Sequence, residues 1–453
     1  MKYFSILSLL FTLFLSGQEQ SLSSKLDDLS NYLRTLEQQS VFSGAVLIAK
    51  NDDVLMKKAY GKASLTWNAP NTLETKFNLA SMGKIFTATA IGMLVEDGSI
   101  DFEDKVGIYL KGLPNKKIRE QVTIGQLLGH HSGIPDIFTQ DFINSSKRKY
   151  KSVNDWDSLY ISKDLNFEPG ARFEYSNSNY LLLGKIIEHI SGKSYEEYIA
   201  QVIFEPLGMK HSGYEEVDKI IPNLAEGYTT GEIGSQNNSN ITLRRNILMH
   251  SIKGGPAGGG YSTVEDLFKF CRALVQGKLI SKSLLDKMTS KYKTDDYYGY
   301  GFQLFDRFGE KSIGHSGGFP GINTIFEYYK DKGILVVALG NFDTSGLIVA
   351  ERMSRIINNM DCVQPDFSIP SGLSEEVKLM SKTGPTAGQA LSLVPKGRLL
   401  VLDGFYFVPK EKDNYFDVVF EETLLKIERE PSGKISQVIM KTPMESITFE
   451  LVK

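Results

Sequence analysis

Residues 313–321 read IGHSGGFPG, and Gly314–Gly318 within them spell G-x-S-x-G, the pattern of a nucleophile elbow. The fold turns on whether Ser316 is that nucleophile. An elbow is a strand-to-helix turn whose serine is followed along the chain by an acid and then a histidine. The six histidines are His130, His131, His189, His211, His250 and His315, so none follows Ser316. The residues after it, Gly317-Gly318-Phe319-Pro320-Gly321, lead into a second strand-like run at 322–329. Ser316 therefore sits in a strand, and the reactive serine lies elsewhere.

Ser81-Met82-Gly83-Lys84 supplies it. Serine becomes nucleophilic only beside a proton acceptor, and lysine serves once burial or charge lowers its pKa. Residues three apart on a helix share a face, which brings the amine beside the hydroxyl. The run 81–97 is almost wholly apolar and stops at Gly98, so it predicts a buried helix with Lys84 near its start. S-x-x-K recurs at Ser146–Lys149 in a solvated basic run and at Ser290–Lys293 in a polar loop. Only the Ser81 copy opens a buried helix. Alone, it would read as a capping serine with a snorkelling lysine.

Other segments agree with it. Residues 165–209, LNFEPGARFEYSNSNYLLLGKIIEHISGKSYEEYIAQVIFEPLGM, resemble the Tyr-x-Asn segment of the penicillin-recognising serine hydrolases. That family comprises class C β-lactamases, serine DD-peptidases, and related esterases and D-aminopeptidases. VTIGQLLGHHSGIPD at 122–136, GGGYSTVEDLFKF at 258–270 and GHSGGFPG at 314–321 also resemble family segments, in the family's order. The resemblance runs from about residue 25 to 360. It implies Ser81 as the acylated nucleophile, Lys84 as its activator and Tyr175 as a proton shuttle drawn toward phenolate by the lysine. It implies Asn177 as a substrate-amide ligand that also holds Lys84. His315, Ser316 and Gly317 then occupy the third motif, usually Lys-Thr-Gly in β-lactamases, and Gly318 N–H joins that of Ser81 in an oxyanion hole. A literal Lys382-Thr383-Gly384 precedes a proline outside any strand pattern, so it is not that motif. Histidine in place of lysine implies weak or pH-dependent recognition of a substrate carboxylate.

The rest of the chain sets bounds. Its 453 residues are 41% hydrophobic, with 51 basic and 54 acidic residues interspersed, which argues against a nucleic-acid partner. MKYFSILSLLFTLFLSGQEQ has the layout of a signal peptide cleaved near Gly17, so the mature protein is expected to be secreted or periplasmic, with no membrane span. Adjacent His130 and His131 lack partners at metal spacing, and Gly255–Gly260 is followed by Tyr261-Ser262 where a phosphate loop needs lysine. No metal, nucleotide or organic cofactor is implied. Cys271 and Cys362 allow one bridge but make no disulfide framework, and Cys271 reads as a buried thiol.

Strands are expected at 43–60 around Asn51-Asp52-Asp53 and at 312–318, 322–329 and 333–340, with a helix at 344–358. Strands that open and close the unit, with helices between, predict an α/β domain over 18–362. Its sheet is antiparallel and flanked by helices, with a helical insertion. From 363 to 453 a Pro/Ser-rich stretch, a short helical segment and alternating runs predict a small β-rich domain. The expected reaction is acyl transfer from an amide or ester of a small-molecule or peptide substrate, cell-wall pieces among the candidates. A weak β-lactamase and a catalytically weak binding or sensor protein are the alternatives.

Overall fold

A computed structural model describes residues 21–230, 243–293, 297–369, 372–396, 398–402 and 405–452. The expected signal peptide lies outside them. Helix α1 (Leu22–Gln38) precedes strands β1 (Gly44–Lys50) and β2 (Asp53–Tyr60), which reverse at Asn51-Asp52. Helices α2 (Lys84–Glu96), α3 (Asn177–Ser191) and α4 (Val264–Val275) follow, then β3 (Gln303–Arg307), β4 (Glu310–Phe319), β5 (Ile322–Tyr329), β6 (Ile334–Gly340) and α5 (Ser345–Ile357). The sheet order is β2-β1-β6-β5-β4-β3, antiparallel throughout, so the first and last strands of the unit pair across it.

Strand composition explains the layers. In β1, Ala45, Leu47 and Ala49 face a core shared with α2, α3 and α4, while Val46 and Ile48 face a core shared with α1 and α5. Strands covered on both faces read as continuous apolar runs, because side chains alternate and both sides are dry. Each such Leu or Ile side chain, fully buried, contributes about 1.5–3 kcal/mol.

The C-terminal segment closes into an antiparallel eight-stranded barrel, β7 (Val377–Ser381), β8 (Ala390–Lys396), β9 (Leu399–Leu402), β10 (Phe405–Glu411), β11 (Asn414–Asp417), β12 (Leu424–Arg429), β13 (Ile435–Lys441) and β14 (Ser446–Leu451). The helical segment expected after residue 374 is strand β7 instead. Leu379 and Ser381 turn inward, and pairing with β8 and β14 overrides the local helical pattern. Leu400, Leu402 and Phe407 fill the barrel, whereas Leu399, Val401 and Val408 from its wall join the core under α1 and α5. Buried Arg352 of α5 pairs with Glu421 of the barrel, and its guanidinium stacks 3.7 Å from the Tyr32 ring of α1. Barrel and sheet unit thus share one packed seam. Cys271 and Cys362 are both free thiols. No described helix is long and apolar enough to cross a membrane.

Candidate active site

Ser81 lies in a tight 3-10 turn, Ala80–Gly83, that runs straight into α2. Ala80 has φ +46°, a left-handed conformation that costs an alanine about 1–2 kcal/mol. Neighbours hold it there. Ala80 N–H donates to Asn78 Oδ1 at 2.9 Å, and Gly259 N–H donates to Ala80 O at 2.8 Å. Gly317 of β4 packs so closely that a Cβ there would stand 2.1 Å from Leu79 O and 3.1 Å from Met82 N. Gly317 of GHSGG and Gly258 of GGG, where a Cβ would stand 2.5 Å from Ala80 O, are therefore the close contacts that press the serine turn into shape.

Lys84 is completely buried one turn along the helix. Its Nζ lies 3.1 Å from Ser81 Oγ and 2.7 Å from Asn177 Oδ1, with Ala257 O as a third neighbour. Burial pushes its pKa down to about 7, and the negative charge of Asp136 offsets part of that fall. A neutral amine has two N–H bonds and one lone pair. The Asn177 and Ala257 carbonyls take the two donors, which leaves the lone pair for the Ser81 hydroxyl. Asn177 is itself held: its backbone N–H and its side-chain amide both donate to Asp136 Oδ2, at 2.6 and 2.8 Å. Asp136, the last residue of the HHSGIPD segment, is a residue that the sequence reading misses as a participant.

Tyr175 is fully enclosed, with the Lys84 amine 5.0 Å from its ring centroid. Burial drives its phenol pKa far up, against a smaller opposing effect from the Ser81 hydroxyl. The phenolate expected from the sequence is not favoured. Removing the phenol from water outweighs the hydrogen bond from Ser81, so Tyr175 stays a protonated phenol. The His130 ring packs 4.2 Å from the Tyr175 ring, and Ser176 N–H donates to its Nδ1 at 3.2 Å.

The third motif divides. Gly318 is exposed and opens onto a cavity of about 310 Å³, which Ser81 and Asn177 also line. His315, 1% exposed, points the other way. Its Nδ1 faces Ser316 O at 2.5 Å and its Nε2 faces Tyr298 Oη at 2.7 Å, the pattern of a neutral ring that donates from Nδ1 and accepts at Nε2. Burial, then the Lys84 charge, lowers its pKa to about 3. The expected charge-dependent contact with a substrate carboxylate therefore has no cation behind it at neutral pH. Ser316 Oγ is tied to Gln303 Oε1 at 2.9 Å and does not line the cavity. Among the described residues no cluster of His, Cys, Asp or Glu could hold a metal.

A serine and a buried lysine on one helix turn, set against a glycine-rich edge of an antiparallel sheet, define a serine hydrolase of the β-lactamase/DD-peptidase-like fold. The chain belongs to the beta-lactamase family, whose model matches residues 29–354. A penicillin-binding protein of Bacillus subtilis (strain 168) is 32% identical over 333 residues, spanning 70% of this chain and 72% of that protein. Teichoic acid D-alanine hydrolase of Staphylococcus aureus is 28% identical over 306 residues, 67% of this chain and 71% of that one. The crystal structure of a penicillin-binding protein from Bacillus halodurans superposes with a TM-score of 0.64 at 31% identity, covering 73% of this chain and 99% of that chain.

Proposed function

We propose that the protein is an exported hydrolase in which Ser81 forms an acyl-enzyme with the carbonyl carbon of an amide or ester. The lone pair of Lys84 accepts the Ser81 proton as Oγ bonds to that carbon. The carbonyl oxygen gathers charge between the N–H groups of Ser81 and Gly318. When the bond to the leaving group breaks, the Tyr175 phenol delivers the proton and recovers one from Lys84. Water then attacks the acyl ester by the same proton path in reverse, which frees Ser81. The observation that carries this reading is the fully buried Lys84 amine, its pKa lowered to about 7, held between the Asn177 and Ala257 carbonyls with Ser81 Oγ at 3.1 Å.

The cavity suits an uncharged, apolar group next to the scissile bond. Phe138, Trp156 and Phe319 line one side. Both cations among its described lining residues are taken, Arg245 by Glu226 and Lys253 by Glu196. With His315 neutral as well, β-lactams that present a carboxylate are expected to be poor substrates. The name of the staphylococcal relative supports short D-alanyl esters as a first test class, and export is supported by the residue 1–17 pattern.

Purified protein incubated with a fluorophosphonate, fluorescent penicillin, D-alanyl esters and D-alanyl amides, read by intact mass and turnover, tests the reading. A Ser81 adduct and ester or amide turnover are expected. Adducts that persist in Ser81→Ala overturn it, and binding without turnover of any member favours a sensor instead.

A further inference from the structure

We propose that Asp343 is a positioning residue for acylation, tying the turn next to Gly318 to the C-terminal barrel so that the barrel completes the active site. This rests on the oxyanion role given to Gly318 above.

Strands β4 and β5 are joined by Pro320-Gly321, with Phe319 paired to Ile322. Proline followed by glycine at φ +74° is the signature of a two-residue type II turn. Such a turn leaves the strand end free to swing unless something outside the hairpin holds it. Two groups do so. Asn246 Nδ2 donates to Pro320 O at 2.8 Å, and Gly321 N–H donates to Asp343 Oδ1 at 2.6 Å. Gly321 also packs flat on Tyr228, where a Cβ would come within 2.7 Å of the backbone nitrogen. The turn is three residues from the Gly318 N–H and lines the same cavity.

Asp343 is anchored from behind. Its Oδ2 accepts from Thr230 N–H at 3.3 Å, and the Thr229 hydroxyl adds a further hydrogen bond. Beyond them stands the barrel. The Tyr406 hydroxyl of β10 bonds the Thr230 side chain, and Lys396 of β8 lies over the Tyr406 ring, 5.2 Å from its centroid. The Lys396 charge acts on the Asp343 carboxylate, which burial would otherwise disfavour. A chain of contacts thus runs from barrel wall to reacting carbonyl: Lys396 and Tyr406, Thr230 and Asp343, Gly321, then Gly318. Hydrogen bonds that strengthen only as charge develops must be aimed within a fraction of an ångström, so support far from the chemistry affects kcat.

The test uses the full-length chain, a p-nitrophenyl ester for steady-state rates and a fluorophosphonate for single-hit labelling, with Ser81→Ala alongside. Asp343→Ala should lower kcat and the labelling rate about 10- to 100-fold with KM changed less than threefold, the scale of a misplaced catalytic group. Asp343→Asn keeps an oxygen for Gly321 N–H but sets its amide NH₂ against Thr230 N–H, and should recover part of that loss. Lys396→Met and Tyr406→Phe, remote from substrate, should each cost about three- to tenfold in kcat, and they carry the test if Asp343→Ala does not fold. Rates within twofold of the parent in all variants overturn the tie, as does a rise in KM at constant kcat or an Asp343→Asn no better than alanine. Labelling that survives in Ser81→Ala would instead overturn the proposed function, which separates the two failures.

Discussion

Asp136 accepts two hydrogen bonds from Asn177, one from its backbone and one from its amide, and so fixes the amide oxygen toward Lys84. A free Asn177 could turn its NH₂ to the lysine, which would put donor against donor. Asp136→Ala should therefore lower kcat/KM about 10- to 100-fold, the range for misplacing a catalytic group. It also removes a negative charge that raises the Lys84 pKa, so the acid limb of the rate profile should move to lower pH. An unchanged limb measured by kcat/KM against pH would show that Asp136 acts on Asn177 alone.

Lys84 is expected to act as the free amine, so activity should fall as pH drops through about 7. The same shift bears on stability. In the unfolded chain the amine titrates near its ordinary 10.5, so between about pH 7 and 10.5 the unfolded state holds more protons and stability rises with pH. Below pH 7 both states are charged and the cost of burying the charge is complete. Lys84→Met should abolish turnover yet stabilise the fold by a few kcal/mol at pH 6, a gain that fades toward pH 10.5. Urea denaturation at the two ends of that range checks it. Equal gains at both ends would mean that packing, not charge, sets the difference.

Neighbouring glycines should behave differently. Gly317→Ala places a methyl group against Leu79 O and Thr324 Oγ1, both fixed, and forces β4 away from the serine turn. It should cost about 1–3 kcal/mol as an overpacked site and silence labelling of Ser81. Gly318→Ala meets nothing within 4 Å and should fold normally, with a change in KM for bulky substrates. Thermal melts with phosphonate labelling of both variants separate the two. A stable, fully labelled Gly317→Ala would show that the strand has room to shift.

Legibility in the sequence followed the range of the interactions. Ser81 and Lys84 can be found because a lysine at the head of an apolar helix must be either buried or misplaced. The strands of the sheet show as apolar runs for the same local reason. Asp136 is not legible in that way: an aspartate after Ile-Pro reads as a surface turn, and its partner is 41 residues away. The direction of His315 depends on Tyr298, brought to it by β3 and its preceding loop. The alternating runs after residue 390 announce strands. Closure of the barrel depends on β7 pairing with β14, at opposite ends of the domain, and no local pattern encodes that.

The last expectation concerns His315. Viewed as a replacement for a charged lysine, it predicts that acidic substrates gain at low pH while neutral ones do not. The structure removes the basis for that, because the ring is buried, has both nitrogens occupied and stays neutral down to about pH 3. A substrate acid and its methyl ester should then give parallel kcat/KM profiles above pH 5, both governed by Lys84. His315→Lys would place an ammonium beside Tyr298, within electrostatic reach of Lys84 and His130. A second buried cation there faces like charge and lost hydration, so the variant should melt earlier and lose activity instead of gaining it on penicillins. Profiles that diverge below pH 7 for the acid alone, or a stable lysine variant with faster penicillin turnover, would mean that the ring swings into the cavity when substrate binds.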